Sequence, residues 1–144
     1  MALMNAERTN GDFALTITDQ KGHTMIIDLP EDQGGLGTGF RPMQTMLAAL
    51  CGCSSADVVS ILKKQRQDLK TLKISVDGER EKGVEPSVWV ELDVLFEMGG
   101  EIDPSKGYRA AELSINKYCS VAETMRRAGA TIRFKVIVNG EEVK

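Results

Sequence analysis

The sequence predicts an α+β domain in which short strands pair beside one long helix. Two observations carry this prediction. Five short segments have the composition of β-strands, two of them with alternating polar and apolar residues, and apolar residues recur at every third or fourth position in one long segment. The predicted order is β-β-α-β-β-α-α-β, and strands that are neighbours in sequence can pair antiparallel, so antiparallel sheets are expected. The 144 residues contain no repeat or long linker, so residues 1–144 are expected to form a single domain.

The predicted strands are rich in β-branched residues and are bounded by turn residues. The first two form a hairpin around Gly22, and a glycine-rich loop at residues 30–41 follows them. The last strand is followed by the turn signal Asn139-Gly140. The five strands are residues 13–18, 24–29, 71–79, 87–96 and 131–138.

Three helices are predicted from spacing and end signals. The long helix at 42–65 opens on Pro42, which suits a first helical position, and ends among basic residues. A second helix begins at Asp103-Pro104 and continues through Lys117. Ser120 followed by Glu123 fits a capping box, which predicts a short third helix ending at Gly129.

Composition excludes several classes of function. There are 18 Lys and Arg against 21 Asp and Glu, a net charge of −3, which gives no electrostatic case for binding nucleic acid. The N-terminal residues lack the pattern of a signal peptide, and polar residues within 42–62 argue against a membrane span. Three cysteines, an odd number, without a secretion signal predict free thiols in a reducing cytoplasm.

The long helix has almost no polar face. Small residues such as Ala48, Ala49 and Gly52 occupy positions where a surface helix carries charge. A helix that is apolar or small all round needs cover on every side, and a chain of this size has little material for that. We therefore expect an obligate homodimer with this helix at its centre.

The cysteines offer the chemistry that stands out in the sequence. Cys53 lies among small residues on the long helix, where a cysteine is usually an apolar filler. Cys119 directly precedes the expected cap Ser120, so its sulfur should lie near free N–H groups that favour a thiolate, although a structural role is equally open. Cys51 points to the opposite side from Cys53 and is interpreted as packing. Asp57, one turn after Cys53, either orients a ligand or bonds to nearby groups. No metal-ligand cluster is apparent, so no metal is expected.

Two segments resemble a known family. RPMQTMLAALCGCSSADVVSILKK is similar to the first-cysteine helix of OsmC/Ohr proteins, the osmotically inducible and organic-hydroperoxide-resistance proteins. LSINKYCSVAETM resembles their second-cysteine segment, and the order of strands agrees along nearly the whole chain. The resemblance implies an intertwined homodimer in which sheets wrap two long central helices, with active sites at the subunit interface.

The resemblance also implies an activity, the reduction of organic hydroperoxides of lipid type. Cys53 would be the peroxidatic cysteine that becomes a sulfenic acid, and Cys119 the resolving cysteine that forms a disulfide with it. A dithiol reductant would then restore both thiols. No cofactor is implied.

The chain departs from the hydroperoxide-resistance branch at one position. That branch has a Glu after the helix-opening proline, paired with an Arg from the N-terminal strands, whereas here Met43 and Gln44 follow Pro42. Arg41 is the candidate that takes over the cationic role and stabilises the thiolate. The pocket is expected to be lined by the residues Met43, Gln44, Met46, Asp57 and Met125.

Other functions remain open on the sequence. The missing Glu favours a non-enzymatic protein that binds an apolar or thiol-bearing small molecule in the same interface pocket, which flexible methionines suit. A redox sensor or a thiol-dependent hydrolase is a third option, for which the sequence contains no supporting residue.

Overall fold

A computed structural model describes residues 3–144 and confirms the α+β class. The chain divides into two compact units, Met1–Ala48 and Ala49–Lys144; helix α1 begins in the first and continues into the second. The prediction that the chain is one domain stays a prediction. The helices are α1 (Pro42–Lys64), α2 (Pro104–Leu113) and α3 (Ser120–Arg127). The strands are β1 (Met4–Asn10), β2 (Ala14–Asp19), β3 (Thr24–Ile27), β4 (Asp68–Arg80), β5 (Trp89–Glu101), β6 (Thr131–Val138) and β7 (Glu141–Val143).

The first unit contains an antiparallel sheet of order β1-β2-β3. The predicted hairpin is confirmed as β2 and β3, which pair from Leu15↔Ile27 to Thr18↔Thr24. β1 was not predicted, because its sequence MNAERTN has no alternation of apolar and polar residues and every position in it is exposed. Its strand conformation comes from pairing with β2.

Asp28 organises the glycine-rich loop of the first unit. It is 1% exposed, and its carboxylate accepts hydrogen bonds from the backbone N–H groups of Leu29, Leu36 and Thr38 and from the Thr38 hydroxyl. Burial by itself would raise the pKa of Asp28, but these bonds outweigh it and hold the pKa below its usual value. The loop is therefore ordered around one ionised side chain.

The second unit contains a sheet of order β4-β5-β6-β7. It is mixed rather than wholly antiparallel, because β5 and β6 pair parallel from Glu91↔Thr131 to Met98↔Val138. A parallel pair needs a long crossover, and α2 and α3 lie in the segment between these two strands. The predicted turn at Asn139-Gly140 is confirmed; both residues have positive φ, and the turn joins β6 to β7.

One face of this sheet carries the core of the second unit. Alternate residues of β5, from Leu92 to Met98, are buried, and Phe96 is 0% exposed. Gly107 of α2 is buried, and a Cβ there would lie 3.1 Å from Val138 Cγ2, so glycine lets the helix approach the sheet closely. The core also includes Ala110, Ala111, Ile115 and Val136.

Helix α1 is buried along a single stripe. Leu50, Ser54, Val58 and Leu62, each four residues apart, are its buried positions. By contrast, Val59 is 44% exposed, and Ala49, Gly52 and Ala56 are also exposed. By length and composition alone α1 is apolar enough to cross a membrane, a test that core helices of water-soluble proteins also pass. The absence of a membrane span stays a prediction.

The region after β5 differs from its prediction in two details. The expected helix through Lys117 is interrupted: α2 ends at Leu113, and a π-helix occupies Ser114–Tyr118. The expected start of α2 is confirmed, since the Asp103 side chain accepts from Ser105 N. The cap of α3 is Cys119 rather than Ser120, because the sulfur of Cys119 accepts from Ala122 N. The capping box with Ser120 was therefore wrong by one residue.

Candidate active site

Helix α1 presents Cys53 and Asp57 on the same side. They are four residues apart, a spacing that places side chains one above the other on a helix. Both side chains are half-buried. Ser54, next to Cys53, is fully buried, and its hydroxyl donates to the Leu50 carbonyl at 2.7 Å. The buried stripe thus fixes the rotation of the helix, and Cys53 and Asp57 lie at its margin.

A buried hydroxyl holds the Asp57 carboxylate. Ser114 is 0% exposed, and its Oγ donates to Asp57 Oδ2 at 2.9 Å. Ser114 is the first residue of the π-helix. This bond joins α1 to the segment that leads to Cys119, and it shows that Asp57 is paired rather than free.

The π-helix places Cys119 at the start of α3. The backbone N–H of Cys119 donates to the Ser114 carbonyl at 2.8 Å, and Ala122 N donates to Cys119 Sγ at 3.4 Å. The side chain is 1% exposed. π-helices occur frequently at functional sites, where an extra residue re-aims side chains. Here the π-helix directly precedes Cys119, whose side chain is buried.

These three side chains converge. The sulfurs of Cys53 and Cys119 and a carboxylate oxygen of Asp57 all lie within 4.8 Å of one another. Both cysteines are free thiols. A disulfide between them requires the sulfurs to move together by less than about 3 Å, since the S–S bond is ~2.05 Å long. We call Cys53, Asp57 and Cys119 the thiol cluster.

The Cys119 thiol is a weak acid in this setting. Burial raises its pKa, and the adjacent Cys53 raises it further through a hydrogen bond and through its charge when deprotonated, to about 11. The N–H groups of Ala122 and Val121 lower the pKa of Cys119, but by less than the other effects raise it. The N–H groups at the start of α3 lie beside Cys119 and lower its pKa, as expected, but desolvation outweighs them, so the thiolate is disfavoured.

Comparison with known proteins identifies the family of this chain. The family model described as OsmC-like protein matches residues 34–135, a range that contains the whole thiol cluster and Ser114. The chain belongs to the OsmC family. Protein YhfA of Escherichia coli strain K12 is 38% identical over 109 residues, which is 74% of this chain and 77% of YhfA.

Solved structures of OsmC proteins share the fold. An OsmC-like protein from Mycoplasma pneumoniae superposes with a TM-score of 0.80 at 16% identity, covering 96% of both chains. A protein from Legionella pneumophila, described as an organic hydroperoxide resistance protein OsmC, gives a TM-score of 0.72 at 13% identity, over 96% of this chain and 97% of that one. The resemblance seen in the sequence is confirmed at the level of family and fold.

The other predicted site residues of this OsmC protein lie elsewhere along the chain. Arg41 and Gln44 are exposed in the first unit, where the Arg41 backbone N–H donates to Gln44 Oε1 at 3.1 Å. Met43 is half-buried and Met46 is 37% exposed. Met125, in α3, is buried. A role for these five residues at the thiol cluster stays a prediction.

Sequence reasoning missed one group near the OsmC thiols, Ser114, and interpreted the third thiol, Cys51, as packing. Ser114 was treated only as one more helical residue, and no local signal marks it as the partner of Asp57. Cys51 does lie apart from the cluster, as predicted: its sulfur is directed at the Ile74 carbonyl of β4, 3.9 Å away. Burial raises the pKa of the Cys51 thiol, which agrees with a packing role.

Proposed function

We propose that this protein reduces organic hydroperoxides with Cys53 and Cys119 as its redox pair. The observation that supports this most is two free thiols, one half-buried and one buried, within 4.8 Å in a member of the OsmC family. The Legionella protein of the same fold bears the name of an organic hydroperoxide resistance protein.

The difference in exposure supports Cys53 as the peroxidatic cysteine and Cys119 as the resolving one. Cys53 is half-buried and can meet a substrate, whereas Cys119 is 1% exposed and is protonated at neutral pH. The Cys53 thiolate attacks one peroxide oxygen, the O–O bond breaks, and the alkoxide leaves as an alcohol after taking a proton. Cys53 becomes a sulfenic acid.

Cys119 resolves this intermediate. After Cys119 has lost its proton, its sulfur attacks the Cys53 sulfur, the S–O bond breaks, and the hydroxide takes a proton from solvent and leaves as water. The peroxide has taken two electrons from the thiol pair, so the disulfide is the oxidised form, and an external dithiol restores both thiols by supplying two electrons. A reducing compartment such as the cytoplasm supplies such dithiols. The carboxylate of Asp57, oriented by Ser114, lies beside both sulfurs, in a position to pass the Cys119 proton on to solvent.

Thiol stoichiometry tests the function. One equivalent of cumene hydroperoxide added to the fully reduced protein is expected to remove two of the three titratable thiols in unfolded protein and yield one alcohol. In Cys119→Ser the same equivalent removes one thiol, and a dimedone adduct appears on Cys53. Unchanged thiols in the native-sequence protein, with a small molecule retained in native mass spectrometry, would select the binding function instead.

The pH dependence of disulfide formation follows from the raised pKa of Cys119. Below pH 11 the thiolate fraction grows about tenfold per pH unit, so the resolving step should accelerate with pH across the neutral and mildly alkaline range. Stopped-flow measurement after one equivalent of peroxide checks this. Cys51→Ser keeps both thiols of the cluster, so its rate of disulfide formation should rise with pH in the same way. A rate of disulfide formation that does not change with pH would contradict a resolving step that depends on ionisation of Cys119.

We further propose that a second copy of this chain covers the exposed side of α1. Ala49, Gly52, Ala56 and Val59 are exposed at three- and four-residue spacing on a helix whose buried stripe lies elsewhere. Small residues allow the helices of two copies to approach closely. A homodimer with α1 at its interface buries this apolar surface.

A large charged side chain on the exposed side of α1 tests the proposed dimer. Ala56→Arg is expected to convert the dimer into a monomer or an aggregate, because an unpaired guanidinium would be buried between two helices. Ala128→Arg, an exposed alanine just after α3, is the matched control and should stay dimeric. Multi-angle light scattering after size exclusion reports the mass. A native-sequence protein that elutes as a monomer at all concentrations contradicts the proposal.

A further inference from the structure

The thiol cluster also has the composition of a metal site. Two cysteine sulfurs and one carboxylate oxygen are ligand types that Zn²⁺ accepts in proteins. Soft thiolate ligands select thiophilic cations over Mg²⁺ and Ca²⁺, which prefer oxygen. The sequence did not suggest this site, because Cys51 and Cys53 cannot share an ion and the third ligand, Cys119, is distant along the chain.

The spacing of the ligands suits chelation. Cys53 and Asp57 are at i and i+4 on one helix face, the relation that two metal-binding side chains have in helical zinc sites. Cys119 completes the set from the start of α3. Around a tetrahedral zinc ion the donor atoms are about 3.6–3.8 Å apart, as Zn–S and Zn–O bond lengths require. Donor atoms that already lie within 4.8 Å reach this arrangement by small side-chain rotations.

The surrounding hydrogen bonds orient the ligands before an ion arrives. The buried Ser114 hydroxyl holds Asp57 Oδ2 at 2.9 Å and leaves the other oxygen available. Ala122 N donates to Cys119 Sγ at 3.4 Å and fixes the side chain. Such outer contacts raise metal affinity, because the ligands lose less freedom on binding.

We propose that the reduced thiol cluster binds one Zn²⁺ through Cys53, Cys119 and Asp57, with a fourth position open to water or a small ligand. Cys53 and Asp57 are half-buried, so an ion can enter from their side. Both thiols lose their protons on binding. The bound cation blocks the Cys53 sulfur, so zinc suppresses peroxide consumption and protects the thiols from oxidation. Zinc binding goes beyond hydroperoxide reduction and does not depend on it, whereas the suppression of peroxide consumption rests on the proposed function.

Metal titration of the reduced protein tests the site. The metal-free dithiol form is titrated with Zn²⁺ against a chromophoric chelator, and Co²⁺ replaces zinc for spectroscopy. We expect one ion per chain and a thiolate-to-cobalt charge-transfer band. Affinity should rise with pH because protons are released. Oxidation of the protein to the disulfide should abolish uptake.

Variants assign the ligands. Cys119→Ser and Asp57→Asn should each weaken zinc binding by more than tenfold, and Ser114→Ala by about tenfold, the scale found for outer-shell contacts. Cys51→Ser, two residues from Cys53, should bind zinc with the same affinity as the native-sequence protein. Circular dichroism of each variant checks that the fold is intact.

Two results would overturn the inference. One is the absence of stoichiometric zinc uptake by the reduced native-sequence protein. The other is uptake that Asp57→Asn and Cys119→Ser leave unchanged, since that would reflect adventitious binding elsewhere on the chain. Peroxide consumption is measured separately on metal-free protein. Zinc binding without peroxidase activity would refute only the proposed function, and activity without zinc binding only this inference.

Discussion

Replacing Cys53 with serine is expected to reduce organic hydroperoxide consumption by a factor on the order of 10³ or more, because the substitution removes the nucleophile that attacks the O–O bond. The serine hydroxyl has nearly the same size but is not ionised near neutral pH. The fold should be unchanged, since Cys53 lies at the margin of the buried stripe of α1 and not within it. The rate is measured with cumene hydroperoxide and excess dithiol.

Cys51→Ser is the matched control for this experiment. It removes a thiol two residues away on the same helix, and that thiol is directed at the Ile74 carbonyl rather than at the thiol cluster. We expect it to retain most of the native rate. If Cys53→Ser consumed peroxide at the native rate, or if Cys51→Ser were the inactive protein, the assignment of the nucleophile would be wrong.

The substitution Phe96→Ala is expected to have the largest effect on stability. Phe96 is 0% exposed at the centre of β5, and its ring is among the largest fully buried side chains of the described residues. Removing it leaves a cavity in the core of the second unit. Such truncations lower the free energy of unfolding by about 3–5 kcal/mol, a large share of the stability of an ordinary domain.

Leu95→Ala is the comparison for Phe96→Ala. Leu95 is adjacent on the same strand, faces the other side of the sheet and is only half-buried. Its truncation should therefore lower the free energy of unfolding by clearly less than that of Phe96. Denaturant unfolding of both variants at one fixed protein concentration measures the difference, because a dimer links stability to concentration. Equal destabilisation by the two variants would contradict the position of the core given by the burial pattern.

Local patterns in the sequence were sufficient for most elements of secondary structure. The i, i+4 recurrence of apolar residues and Pro42 gave the position of α1, and Asp103-Pro104 marked the start of α2. Alternation located β2 to β6, although the ends of the strands shifted by a few residues. β1 escaped detection because a polar strand carries no periodic signal, and its residues are recognised as a strand by their pairing with β2.

Only part of the thiol cluster could be predicted from the sequence. Motif resemblance identified Cys53 and Cys119 as a pair, but it gave no reason to join Asp57 with Ser114, which are 57 residues apart. A π-helix in place of a continuous α-helix made Cys119 the cap of α3. Neither feature has a local signature, because each depends on the packing of segments that are distant in the chain.

The amino-acid sequence alone determined the α+β class, the long apolar helix and the two cysteines that place this chain in the OsmC family. These properties depend on periodicity, capping and motif, which are local. Tertiary structure decided the parallel pairing of β5 with β6, the approach of the two sulfurs and the carboxylate, and the acidity of Cys119. A pKa responds to desolvation and to neighbouring charge, and both arise only when remote segments pack together.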